Sequence, residues 1–227
     1  MHYVLLPGLH GTQVLFDDFV AAAPAGCLVT RIEYPVGGPQ DSETLVRFVV
    51  AHLPPGPVTL IAESFGGLVG IALAAQHPMR VASLVLVGSF ARSPLGIPAS
   101  LVPGAALRAL TYWLWPARVL LAGPRRSERT DALLREALPK LPYETFAARV
   151  RTILESDVRA LLPSLRAPVL YLQASRDLLV PAQRGRELVA RIPSARLRVL
   201  DGPHMLLAER PRACWQAIID EGIAAPR

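Results

Sequence analysis

The sequence predicts an α/β fold in which a mostly parallel sheet carries helices on both faces. Two patterns lead to it. Short uninterrupted runs of Val, Leu and Ile alternate with longer helical patterns, and the turns that close the runs are punctuated by glycine and proline. A strand wet on one side alternates apolar and polar residues, whereas an uninterrupted apolar run needs cover on both sides, as in parallel sheets. Size agrees with this: 227 residues, 52% of them hydrophobic, suffice for one well-buried core and are too few for two generous domains.

Tyr3 to Leu6 is a short apolar strand. It runs into Pro7-Gly8-Leu9-His10-Gly11-Thr12, a glycine turn of the kind that exposes backbone N–H groups. Leu28 to Tyr34 reads as a second strand, Ser42 to His52 as a helix and Val58 to Ala62 as a third strand. The next five residues, Ala62-Glu63-Ser64-Phe65-Gly66, put a serine at the top of a tight strand-to-helix turn. Such a turn closes only when the residues two before and two after the serine are small, because both press on the following helix and the neighbouring strand. Ala62 and Gly66 meet that demand, although Ala62 stands where the usual pattern has glycine. The helix Phe65 to Gln76 follows, with Gly67 and Gly70 allowing close packing, and Ser83 to Gly88 is the next strand. Glu63, beside the serine, fits either a buried hydrogen-bonding group or a carboxylate on the rim.

Residues 91–166 break the alternation. They are rich in Pro, Arg, Ala and Leu, contain Trp113 and Trp115, and show helical periodicity in Thr130 to Leu138 and Tyr143 to Leu162. This predicts a core of residues 1–90 and 167–227 with a helical cap, 91–166, inserted after the strand Ser83 to Gly88. Caps exclude water and shape the substrate pocket; the competing reading is a set of plain crossover helices. The apolar stretch Leu107 to Leu121, with Tyr112, Trp113 and Trp115, suggests an acyl pocket, with Trp113 as a candidate substrate contact.

The alternation resumes with the strand Pro168 to Ala174, whose loop carries Asp177, and the strand Leu197 to Leu200, whose loop Asp201-Gly202-Pro203-His204 carries a histidine. Ligands in open α/β sheets gather at the carboxyl ends of strands, so three loops would bring Ser64, Asp177 and His204 to one edge. Their chain order, Ser then Asp then His, differs from the chymotrypsin and subtilisin orders.

With these residues in place the chain resembles the α/β-hydrolase superfamily over nearly its whole length. The segment His204-Met205-Leu206-Leu207-Ala208-Glu209-Arg210-Pro211 resembles the family's ending, in which a Glu-x-Pro opens the last helix. The resemblance implies a short, serine esterase-like form of the fold, without the family's two antiparallel leading strands. It also implies a cofactor-free, metal-free serine hydrolase. Ser64 would be the nucleophile, His204 the base, Asp177 the residue that orients the imidazole, and the N–H groups of Leu9 and Phe65 the oxyanion donors. His10, in the same loop, is a further candidate substrate contact. The family often has His-Gly where this chain has Pro7-Gly8, a change that a main-chain donor tolerates. The expected substrates are carboxylic esters of small or medium acyl chains. Acyl thioesters, acyl transfer to an alcohol and carbon–carbon cleavage in a diketone are the alternatives within the fold, and a non-catalytic small-ligand-binding protein is the alternative outside catalysis.

Charge and composition bound the partners. The net charge is +6, and residues 91–166 hold twelve Arg or Lys against six Asp or Glu, while the remainder is balanced. A basic cap would steer an anionic substrate or an acyl carrier toward the site, as in the pimeloyl-acyl carrier methyl esterases that this chain resembles. Arg outnumbers Lys 23 to 1, which equally fits compositional bias, and no recognition motif points to nucleic acid. Cys27 and Cys214 give neither metal spacing nor a disulfide framework. His2, His52 and His77 read as solvated or capping residues. No run approaches the roughly eighteen apolar residues of a membrane span, and the start lacks the pattern of a signal peptide, so a cytoplasmic location is expected.

Overall fold

The computed structural model describes residues 2–103, 114–124 and 126–223. The strands are β1 (His2–Leu6), β2 (Leu28–Arg31), β3 (Val58–Glu63), β4 (Val81–Val87), β5 (Val169–Ala174) and β6 (Ala195–Leu200). The helices are α1 (Asp17–Ala21), α2 (Ser42–His52), α3 (Gly66–Gln76), α4 (Leu114–Ala122), α5 (Glu128–Ala137), α6 (Tyr143–Glu155), α7 (Ala182–Val189), α8 (Leu206–Glu209) and α9 (Pro211–Asp220). All six strands form one sheet in the order β2-β1-β3-β4-β5-β6, and every pairing is parallel.

The continuous apolar runs become the central strands, and within each run alternate residues serve different layers. Val4, Leu6, Leu60, Ala62, Leu84 and Leu86 join the cluster that contains Leu45, Val46 and Val49 of α2 and Leu68 of α3. Tyr3, Leu5, Ile61, Val85 and Val87 join the opposite cluster, with Phe19 of α1 and Trp215 and Ile218 of α9. Trp215 is stacked 4.5 Å from Phe19 and donates its indole N–H to the Phe19 carbonyl at 2.8 Å, so the last helix is tied to the first. The outer strands β2 and β6 are half-exposed, as the edges of an open sheet should be.

Helix ends follow local chemistry. Asp41 caps α2 by accepting the Thr44 N–H at 2.8 Å, and Ser127 caps α5 by accepting from Thr130 at 3.1 Å. The single periodic stretch expected over Tyr143 to Leu162 is divided: α6 stops at Glu155, and a 3₁₀ turn, Arg159–Ser164, follows. Pro163 has no N–H to donate, and Asp157 leaves the helix to accept from the Arg159 N–H and to bridge Arg92. The second strand ends at Arg31 rather than Tyr34, although the Ile32 N–H still reaches the Leu5 carbonyl at 3.0 Å. Helix α7 was not expected; Gly185 interrupts its pattern because a Cβ there would meet the Tyr171 ring at 2.5 Å. His2, half-buried at the start of β1, bonds Thr30 across the β1–β2 pair at 2.7 Å.

The segment between β4 and β5 is helical where described. Ala122 of α4 and Leu133, Leu134 and Ala137 of α5 pack on Leu15, Met205 and Ala208, so these helices rest on the connections that follow β1 and β6. Among the described residues no helix is long and apolar enough to cross a membrane.

Candidate active site

The sheet order reverses between β1 and β3. The chain leaves β1 toward β2 on one side and leaves β3 toward β4 on the other, so the two loops diverge and open a crevice at their carboxyl ends. The Pro7 to Thr12 turn and Ser64 occupy that crevice.

Ser64 is the only described non-glycine residue with a positive φ, at 50°. Such backbone costs on the order of 1–3 kcal/mol and persists only where the surroundings enforce it. Here the Ser64 N–H donates to the Val87 carbonyl at 2.8 Å, and the Ser64 carbonyl accepts from the Ser89 hydroxyl and the Gly67 N–H, each at 2.9 Å. Gly66 is obligatory because a Cβ there would stand 2.6 Å and 2.7 Å from the carbonyl oxygens of Pro7 and Leu6. Ala62 is tolerated because glycine faces it: a Cβ on Gly70 would lie 3.0 Å from the Ala62 Cβ.

Ser64, His204 and Asp177 meet in one hydrogen-bonded chain. Ser64 Oγ lies 2.9 Å from His204 Nε2, and His204 Nδ1 lies 2.7 Å from Asp177 Oδ2. The other oxygen, Oδ1, accepts the N–H groups of Leu179 and Val180 at 2.8 Å each, which fixes the carboxylate and directs Oδ2 at the ring. Asp177 therefore accepts a hydrogen bond from Nδ1–H, which keeps the proton on Nδ1 and leaves Nε2 free to accept from the Ser64 hydroxyl. Both side chains are buried. Burial opposes the imidazolium, but the Asp177 hydrogen bond and charge, helped by the charge of Glu63, outweigh it and hold His204 above the usual histidine range.

The two expected main-chain donors flank the serine. A Cβ on Gly8 would be 3.5 Å from the Ser64 Cβ, so the Gly8–Leu9 peptide runs beside the hydroxyl. Phe65 immediately precedes α3, and among the described residues neither the Leu9 nor the Phe65 N–H has an acceptor within the chain. His10 lies in the same turn; its Nδ1 accepts the Thr12 N–H at 3.1 Å, and its Nε2 stands 3.6 Å from Glu63 Oε2. Glu63 is thus buried rather than on the rim. A cavity of about 190 Å³ opens beside the turn, lined by His10, Thr12, Val14, Tyr34, Lys140 and Leu141. Trp113 and Tyr112 lie outside the described residues.

One buried side chain beside this turn is not singled out by the sequence alone. Arg149 of α6 is fully buried and donates to the Leu9 carbonyl at 2.9 Å, to the Pro35 carbonyl at 3.1 Å and to Gln40 Oε1 at 2.8 Å. The available signal was a polar stripe, Thr145, Arg149 and Thr152, at helical spacing on an otherwise apolar face. Many of the basic groups on the helices between β4 and β5 are ion-paired: Arg118, Arg126 and Arg135 converge on Asp131, Arg129 reaches Asp18, and Lys140 pairs with Glu136. Arg125 lies outside the described residues. Among those residues no cluster of three or more His, Cys, Asp or Glu is arranged to hold a metal.

A family model for serine aminopeptidase, S33, matches residues 39–211. The chain is 32% identical to a pimeloyl-[acyl-carrier protein] methyl ester esterase of Aromatoleum aromaticum, over 96% of each chain. Among solved structures it is similar to the enol-lactonase from Burkholderia xenovorans LB400, with a TM-score of 0.81 at 25% identity over 98% of this chain and 91% of that one. An esterase from Exiguobacterium antarcticum, at 16% identity over 99% of this chain and 92% of that one, shares the fold with a TM-score of 0.85.

Proposed function

The chain belongs to the serine aminopeptidase S33 family of α/β-hydrolases, and from that membership we propose that it is a serine esterase, cleaving carboxylic esters of small or medium acyl chains through an acyl-enzyme. The observation that carries the reading is the continuous Asp177–His204–Ser64 hydrogen-bonded chain at a strained strand-to-helix turn. In this reading His204 Nε2 takes the Ser64 proton as Oγ attacks the acyl carbon. The N–H groups of Leu9 and Phe65 receive the oxyanion, and the imidazolium returns the proton to the departing alcohol. Water repeats the attack with His204 again as base, releasing the acid and restoring Ser64.

Ester chemistry is favoured over the thioester, acyl-transfer and carbon–carbon readings by the names of two relatives, a methyl ester esterase and an enol-lactonase, a lactone being a cyclic ester. Residues 91–166 serve as the cap over the site, with His10 and Trp113 among the substrate contacts; the packing of α4 and α5 on the loops after β1 and β6 supports this. The first of those names also extends the reading to esters borne by an acyl carrier, which the surplus of six basic over acidic residues in 91–166 would attract. A cytoplasmic location accords with such a substrate. The test is a panel of p-nitrophenyl esters of rising acyl length beside the matching acyl-CoA thioesters. Faster turnover of the esters is expected, and a reversed ranking replaces the esterase with a thioesterase.

A further inference from the structure

We propose that Arg149 is a positioning residue for the oxyanion hole, a buried cation from α6 that holds the Leu9 backbone in the orientation needed to receive the substrate's carbonyl oxygen. This rests on the esterase reading and on Leu9 as an oxyanion donor. Leu9 contributes two groups: its N–H, the proposed donor, belongs to the Gly8–Leu9 peptide beside Ser64, and its C=O accepts from Arg149 Nη1 at 2.9 Å. Fixing the carbonyl of a residue restricts the dihedrals that aim its N–H.

The guanidinium is placed with unusual care. Its three hydrogen bonds all end on uncharged oxygens, and among the described residues it has no carboxylate partner. Gln40 is itself anchored to the Pro35 and Gly37 carbonyls at 3.2 Å and 2.7 Å, so the acceptors form one rigid seam. Burial pulls the Arg149 guanidinium down to about 10, which leaves it cationic at neutral pH. A buried cation without a counter-ion is a poor choice where packing alone is required, since an apolar side chain of similar volume serves better. The loop is built to admit it as well. Gly11 has a φ of +72°, and any Cβ there would run into the guanidinium. The same glycine closes the turn through its N–H to the Gly8 carbonyl at 3.0 Å. Leu9 is therefore held from inside by the turn and from outside by a helix inserted 140 residues later.

The experiment compares Arg149→Met and Arg149→Lys with the wild type, using p-nitrophenyl butyrate as substrate. Butylboronic acid serves as a tetrahedral analogue and butyrate as a trigonal product ligand. Arg149→Met is expected to lower kcat about 10- to 100-fold and to weaken the boronate by a similar factor, with KM and butyrate affinity nearly unchanged. Arg149→Lys, which keeps the charge but not the fork, should fall between. The proposal is overturned if thermal stability drops while kcat and boronate affinity hold, if the change is confined to KM, or if both variants lose cooperative folding. Ser64→Ala run alongside separates the two claims. Activity retained there removes the esterase reading, whereas an inactive Ser64→Ala beside a wild-type-like Arg149→Met removes only the role of Arg149.

Discussion

At the residue scale the central relation is between His204 and the carboxylates around it. In the proposed mechanism the three side chains act as a unit, so Ser64→Ala or His204→Ala should lower kcat/KM by roughly four to six orders of magnitude, and Asp177→Asn by somewhat less. Steady-state rates on a p-nitrophenyl ester measure this directly. The imidazole must be neutral to act as base, and its proton affinity is raised, so kcat/KM should fall as pH drops through a midpoint above the ordinary histidine value of 6.5. Glu63 contributes to that rise, so Glu63→Gln should move the midpoint to lower pH; an unchanged midpoint, or one moved upward, would count against an electrostatic role for Glu63. The triad candidates were legible because each follows a strong apolar strand within a few residues. The partners of Glu63 and Arg149 were not, since His10 lies 53 positions from one and Leu9 lies 140 from the other, and only the folded sheet and insertion bring them together.

At the scale of elements the decisive contact is between the start of α3 and the end of β1. Gly66→Ala would press a methyl group against two backbone carbonyls that have no side-chain freedom to yield, an overpacking worth roughly 1–3 kcal/mol. Thermal unfolding should report that loss together with a lower kcat, and an unaltered melting temperature would mean the two elements are not in close contact. On the other side of the crevice Leu9→Pro removes a main-chain donor, at a cost of about 2–4 kcal/mol in the transition state, whereas Leu9→Ala keeps the N–H and should be far milder. Equal damage from both would assign Leu9 to packing. Helices α2 and α3 were legible almost to the residue, because Asp41 caps one and the serine turn starts the other. The division of Tyr143 to Leu162 was not, because hydrophobic spacing runs on through Asp157 and Pro163 while the backbone hydrogen bonds do not.

For the whole molecule, the apolar layers on the two faces of one sheet make the core a scaffold that fixes three loops on one edge. This much was legible because buried parallel strands announce themselves by uninterrupted apolar runs. The charge excess of residues 91–166 acts at the same scale: ion pairs such as Arg126 with Asp131 localise charge without changing its sum. Turnover of an anionic ester should therefore decline with added salt more steeply than that of a neutral ester, by a few-fold between low and physiological ionic strength. Parallel declines would leave those arginines as ordinary surface. The proposed chemistry depends on one nucleophile, and the most direct measurement is labelling by a fluorophosphonate probe followed by mass spectrometry of the peptides. A single adduct is expected on the peptide that contains Ser64, lost in Ser64→Ala together with ester turnover. An adduct on another residue, or near-wild-type turnover and labelling in Ser64→Ala, would contradict it.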